Sequence, residues 1–203
     1  MSRPLRLGIL GGAFDPVHVG HLFIASAVAA ELGLDRVLFQ PVGDPAHRTP
    51  VASSADRRAM VLLAIRSDDR FVLDETALRQ RGPVYTADTM PLLRKAYPDA
   101  SFLFIAGADS LIDTPWRRLD EVAGELDHFV VVERAGADAR RLEPTLAALP
   151  SDLARRFMIV NLPLVDVSAS AIRARVAAHQ PIRYLVPDPV ADYIARAHLY
   201  EKP

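Results

Sequence analysis

The chain contains no cysteine among its 203 residues, which excludes disulfides, thiolate catalysis and cysteine zinc sites together. Lysine is nearly absent as well. Lys95 and Lys202 are the only two, and arginine carries the remaining basic charge. A Gly-Lys pair occurs nowhere, so there is no P-loop to hold phosphates, and no Gly-x-Ser-x-Gly elbow offers a nucleophilic serine. Net charge is small, −1 with histidine neutral, which leaves no field to gather nucleic acid or an anionic membrane. Long apolar runs are lacking too. Leu22 to Ala30 is cut off by Glu31, and Phe102 to Ala108 by Asp109; both fall short of the roughly 18–20 residues a membrane helix needs. The apolar stretch after Arg3 and Arg6 soon meets Asp15 and His18, unlike a signal peptide. A cytoplasmic protein without nucleic-acid or membrane partners is expected.

What the chain does have is a rhythm. Leu5–Leu10, Arg36–Pro41, Phe71–Leu73, Ser101–Ala106, His128–Glu133 and Phe157–Asn161 are short runs rich in Val, Ile, Leu and Phe, with little polar alternation. Such runs predict strands covered on both faces. Helical spacing falls between them, over 20–32, 55–66, 86–97, 119–126, 141–148, 169–178 and 189–197. The alternation predicts an α/β fold, a doubly wound parallel sheet with helices on both faces. No linker or fixed-period repeat interrupts it, so residues 1–203 read as a single domain. Pro187 and Pro189 bound the last helix, and 181–203 reads as a short helical C-terminal appendage. In such sheets ligands bind beyond the carboxyl ends of the strands, near a switch in strand order.

The densest chemical signal lies where the first strand gives way to the first helix: Gly11-Gly12-Ala13-Phe14-Asp15-Pro16-Val17-His18-Val19-Gly20-His21. The glycines allow a phosphate to approach the backbone. Gly20 and His21 fall at a helix start, where free N–H groups and the dipole favour an anion. His18 and His21, three residues apart, are placed to face one phosphate. Two other readings fit the same residue types. One is a structural role for the histidines at the helix start; the other is metal ligation together with Asp15, although the zincin spacing of two histidines four apart is missing.

These eleven residues resemble the G-x-F-D-P-x-H-x-G-H signature of the nucleotidylyltransferase superfamily, whose members transfer AMP or CMP. Val167-Ser168-Ala169-Ser170-Ala171-Ile172-Arg173 is similar to that superfamily's second signature, I-S-S-T-x-I-R, with Ala169 and Ala171 departing from it. Three further stretches look like the nicotinate-mononucleotide branch. They are Asp44-Pro45-Ala46-His47-Arg48, the run from Asp74-Glu75 through Arg79 and Gly82 to Tyr85-Thr86-Ala87-Asp88-Thr89, and Gly107-Ala108-Asp109-Ser110-Leu111 followed by Trp116. The resemblance spans residues 5 to 200.

It implies a Rossmann-like nucleotidyltransferase fold and transfer of AMP from ATP to nicotinate mononucleotide, giving deamido-NAD and pyrophosphate. His18, His21 and Arg173 would be catalytic. Gly11, Gly12, Phe14, His18, His21, Gly107, Asp109, Ser168, Ser170 and Arg173 would bind ATP. His47, Arg48, Thr86, Trp116 and Arg134 would bind the mononucleotide. Mg²⁺ would arrive with ATP, with no metal site of the protein's own. Acceptors such as nicotinamide mononucleotide or phosphopantetheine stay open, as does a non-catalytic nucleotide-binding regulator. A homo-oligomer is compatible with the sequence, which does not decide it.

Overall fold

The computed structural model describes residues 3–45, 49–113, 116–134 and 139–201, with Arg134 and Ala139 described by their backbone alone. Six strands form one parallel sheet: β1 (Arg6–Gly12), β2 (Arg36–Pro41), β3 (Phe71–Leu73), β4 (Ser101–Gly107), β5 (His128–Arg134) and β6 (Phe157–Leu162). Their order is β3-β2-β1-β4-β5-β6, and every adjacent pair runs parallel. The expected doubly wound sheet is therefore what the chain forms. Strand order reverses between β1 and β4, and their carboxyl ends, at Gly12 and Gly107, open the crevice where a ligand belongs.

Each strand serves two cores. Leu10, Val37, Phe39, Leu103, Ile105, Val130 and Val132 face one cluster, while Leu7, Ile9, Leu38, Phe102, Phe104, Phe129 and Val131 face the other. Side chains alternate across a strand, so a strand buried on both faces shows no polar alternation, which is the pattern the sequence displays. The first cluster is covered by α1 (Val19–Leu32), α2 (Ser54–Ile65), α8 (Ala169–Ala177) and α9 (Asp188–Arg196). The second lies under α3 (Thr86–Ala96), α4 (Ala108–Asp113), α5 (Leu119–Gly124) and α6 (Ala139–Ala147). One turn of helix, α7 (Ser151–Ala154), leads into β6.

Helices α4 and α7 were not anticipated. At 6 and 4 residues neither is long enough to display a 3.6-residue apolar period. The short helical C-terminal segment, expected over 181–203, packs into the core. Val186, Val190, Ile194 and Tyr200 are buried in the first cluster beside residues of α1 and α2. Local signals set the long helices: Ser53 accepts the Asp56 N–H and Ser168 the Ala171 N–H as N-caps, and α1 stops at Gly33 with φ of 59°. No helix among the described residues is long and apolar enough to cross a membrane.

Candidate active site

At the switch point the backbone leaves room that side chains would close. A Cβ on Gly11 would lie 3.3 Å from Phe104, and one on Gly107 would lie 2.5 Å from Asp109 Oδ1. The chain then turns at Phe14, whose φ of 50° folds its ring back over Gly12. That ring is buried between Phe39 and the edge of His21. Of Phe14, only the backbone is therefore available to a nucleotide.

His18 caps α1 and its imidazole stacks on that of His21, centroids 3.7 Å apart and planes 29° from parallel. The backbone N–H of His18 donates to His21 Nδ1 at 3.2 Å. With Nδ1 accepting, the proton of a neutral His21 sits on Nε2. Burial holds both rings neutral: it lowers the His18 pKa to about 4. For His21 burial lowers the pKa well below the usual value, and a charged His18 would lower it further. His18 is 7% exposed, and its Nδ1 has no hydrogen-bond partner among the described residues. Gly20 keeps that nitrogen clear, since a Cβ there would come within 3.0 Å of it. The pair thus offers N–H groups without positive charge.

The second signature meets the first. A Cβ on Gly20 would lie 3.9 Å from the Val167 carbonyl, just before α8. Arg173 Nη1 donates to the Asp15 carbonyl at 2.7 Å and lies 3.7 Å from Asp15 Oδ2. Ser168 and Ser170 share a hydroxyl contact of 3.2 Å. The carboxylate of Asp15, 5% exposed, is used up within the protein: it accepts the N–H groups of Val51 and Ala52 and the hydroxyl of Tyr200. Among the described residues no three His, Cys, Asp or Glu side chains converge where an ion could sit.

The residues assigned to the mononucleotide are treated unequally. Thr86 opens α3, and its carbonyl accepts the Thr89 hydroxyl. Trp116 is half-buried, edge-on to Phe104 and Phe129, and donates its indole N–H to the Ser110 carbonyl at 3.1 Å. Its ring is thus anchored in the second core next to the β4 end. Asp109 lies in the first turn of α4 and accepts the Ser110 N–H. His47, Arg48 and the Arg134 side chain lie outside the described residues.

Two supporting groups escaped the sequence reading. Arg57, 1% exposed, donates to the carbonyls of Ala13, Val42, Gly43 and Ala52, and so ties the loop after β1 to the loop after β2. Its signal was there: it shares an α2 face with Met60, Val61, Ala64 and Ile65, where an apolar residue is expected. Gln40, buried near the end of β2, donates to Asp74 and accepts from Thr89. A lone polar residue in an apolar strand was the clue to it.

A Rossmann-like parallel sheet with the two signature segments joined at its switch point is the architecture of a nucleotidyltransferase. A family model described as cytidylyltransferase-like matches residues 9–175, from β1 into α8, and the chain belongs to that family. Similar chains within it are named as probable nicotinate-nucleotide adenylyltransferases. A probable nicotinate-nucleotide adenylyltransferase of Thermomicrobium roseum is 44% identical over 96% of this chain and 91% of its own. One of Saccharopolyspora erythraea is 40% identical over 98% and 92%. Among solved structures, the nicotinic acid mononucleotide adenylyltransferase of Plasmodium falciparum, complexed with NaAD, superposes with a TM-score of 0.73 over 96% of this chain and 97% of that one. At 17% identity that likeness concerns the fold.

Proposed function

We propose that the chain transfers AMP from ATP to nicotinate mononucleotide, forming deamido-NAD and pyrophosphate in NAD biosynthesis. The observation that carries this reading is the junction of the His18/His21 loop with Arg173, in a chain 44% identical to a protein named for that activity. A phosphate oxygen of the mononucleotide attacks the α-phosphorus of ATP. A new P–O bond forms there while the bond to the bridging oxygen breaks, and pyrophosphate leaves with that electron pair. The attacking phosphate is already ionised near neutral pH, so the protein has no nucleophile to activate. Its task is to align two anions and to stabilise charge on the leaving group.

The residues suit that task. His21 directs Nε2–H, and His18 an imidazole N–H, at the ATP phosphates; being neutral, they stay donors across the working pH range. Arg173 supplies the positive charge at the β/γ end. Gly11, Gly12 and the backbone of Phe14 line the approach, with Ser168 and Ser170 beside it and Gly107 and Asp109 toward the adenosine. Thr86 and Trp116 are assigned to the pyridine nucleotide, as are His47, Arg48 and Arg134 on the strength of the family resemblance. Mg²⁺ comes with ATP on phosphate oxygens and water, as expected where Asp15 is occupied by Val51, Ala52 and Tyr200. When bound it would neutralise phosphate charge. We place the reaction in the cytoplasm, with ATP and nicotinate mononucleotide as substrates.

Pyrophosphate release with Mg-ATP is the test, with nicotinate mononucleotide, nicotinamide mononucleotide and phosphopantetheine offered in parallel. Release at least about tenfold faster with the first supports the reading. Preference for another acceptor moves the substrate and keeps the mechanism. ATP binding without release from any of the three would make the chain a nucleotide-binding regulator instead.

A further inference from the structure

Asp15 sits at the centre of the site, yet its side chain has no part in the proposed reaction. Oδ1 accepts the Ala52 N–H at 3.0 Å and the Tyr200 hydroxyl at 2.8 Å. Oδ2 accepts the Val51 N–H at 2.7 Å and faces Arg173 Nη1 at 3.7 Å, while that same Nη1 donates to the Asp15 carbonyl. Tyr200 is 8% exposed, so its bond to Asp15 is shielded from water. An acceptor deprived of its partner there has no solvent to turn to. The C-terminal segment holds the loop at a second point as well, where the Leu185 carbonyl accepts the Val19 N–H at 3.0 Å.

We infer that Tyr200 is a positioning residue for Arg173, acting through Asp15. The hydroxyl orients the carboxylate; carboxylate and carbonyl together hold the guanidinium beside the loop that carries His18 and His21. Burial and the neighbouring carboxylate raise the hydroxyl's pKa, so it remains a donor throughout. The inference rests on the role proposed above for Arg173. A purely structural Tyr200 would need only its ring, which fills the first core cluster, and phenylalanine would replace that ring without loss.

Tyr200→Phe keeps the ring and removes the bond. Its kcat for pyrophosphate release should fall about tenfold, the consequence of one buried hydrogen bond lost from Asp15 Oδ1, which keeps only the Ala52 N–H, with KM for the mononucleotide unchanged within about twofold. The deciding measurement is the same substitution in an Arg173→Ala background. If Tyr200 acts through Arg173, it costs nothing further there, because the two losses are not additive. An equal loss in both backgrounds would make Tyr200 structural and overturn the inference. So would full activity of Tyr200→Phe beside a slow Arg173→Ala, a result that leaves the role of Arg173 standing. Wild-type kcat in Arg173→Ala would remove both. Asp15→Asn provides a second route to the same test, and its loss should likewise vanish without Arg173. Melting temperatures of all variants are recorded beside the rates.

Discussion

His21 Nδ1 accepts the backbone N–H of His18 across 3.2 Å, and the two rings lie stacked at 3.7 Å. One contact therefore closes the first turn of α1, selects the Nε2–H tautomer of His21 and aims that N–H away from the helix. His21→Ala removes the donor together with the cap. Loss of one preorganised donor to transition-state charge costs about 10²–10³ in kcat, and single-turnover kinetics should show a drop of that size with the circular dichroism spectrum intact. Near-wild-type turnover would leave His21 with a capping role only.

Burial of His18 makes stability depend on pH in a definite direction. Its folded pKa, about 4, lies below the ordinary 6.5, so between those values the unfolded chain binds the extra proton. Stability is then unaffected above pH 6.5 and falls as pH drops toward 4, by on the order of 3 kcal/mol for a shift of this size. His21 adds to the loss in the same direction. Denaturant midpoints at pH 7 and pH 5 should differ more for the wild type than for His18→Gln. Equal differences would show that other groups govern acid stability.

Arg57 places a guanidinium in the interior and satisfies it with the carbonyls of Ala13, Val42, Gly43 and Ala52, while burial lowers its pKa. Arg57→Met leaves those carbonyls without donors and frees the two loops from each other. A loss of about 3 kcal/mol or more is expected, read from urea denaturation. A variant as stable as wild type would mean that water replaces the guanidinium at the carbonyls.

Gly107→Ala tests the room at the end of β4. Its Cβ would come within 2.5 Å of Asp109 Oδ1, and the carboxylate yields more easily than the strand. The melting temperature should move only a few degrees, about 1 kcal/mol of stability, whereas KM for ATP should rise several-fold as Asp109 swings away. An unchanged KM would remove Gly107 and Asp109 from the adenosine site.

Trp116 is fixed at its edges by Phe104 and Phe129 and at its N–H by Ser110. Trp116→Ala should therefore cost about 2 kcal/mol of stability for a half-buried ring and also raise KM for the mononucleotide. If stability falls while KM stays constant, the ring belongs to the core alone.

The strands and long helices were legible because their causes are local. Runs such as His128–Glu133 owe their uniform hydrophobicity to burial on both faces, and Ser53, Ser168 and Gly33 mark helix ends through groups only a few residues away. His18 and His21 were readable for the same reason, since three residues of spacing and a helix start bring them together. Helices α4 and α7 were too short to carry a period. The sequence by itself determined the parallel α/β sheet and the places along the chain of its two signature segments. Only the tertiary structure decided that Asp15 would be consumed by Val51, Ala52 and Tyr200, that Arg57 would turn inward, and that the last residues of the chain would brace the first loop. Those contacts join positions up to 185 residues apart. No periodicity or spacing encodes them, because a buried donor and acceptor find each other only once the core has brought their segments into contact.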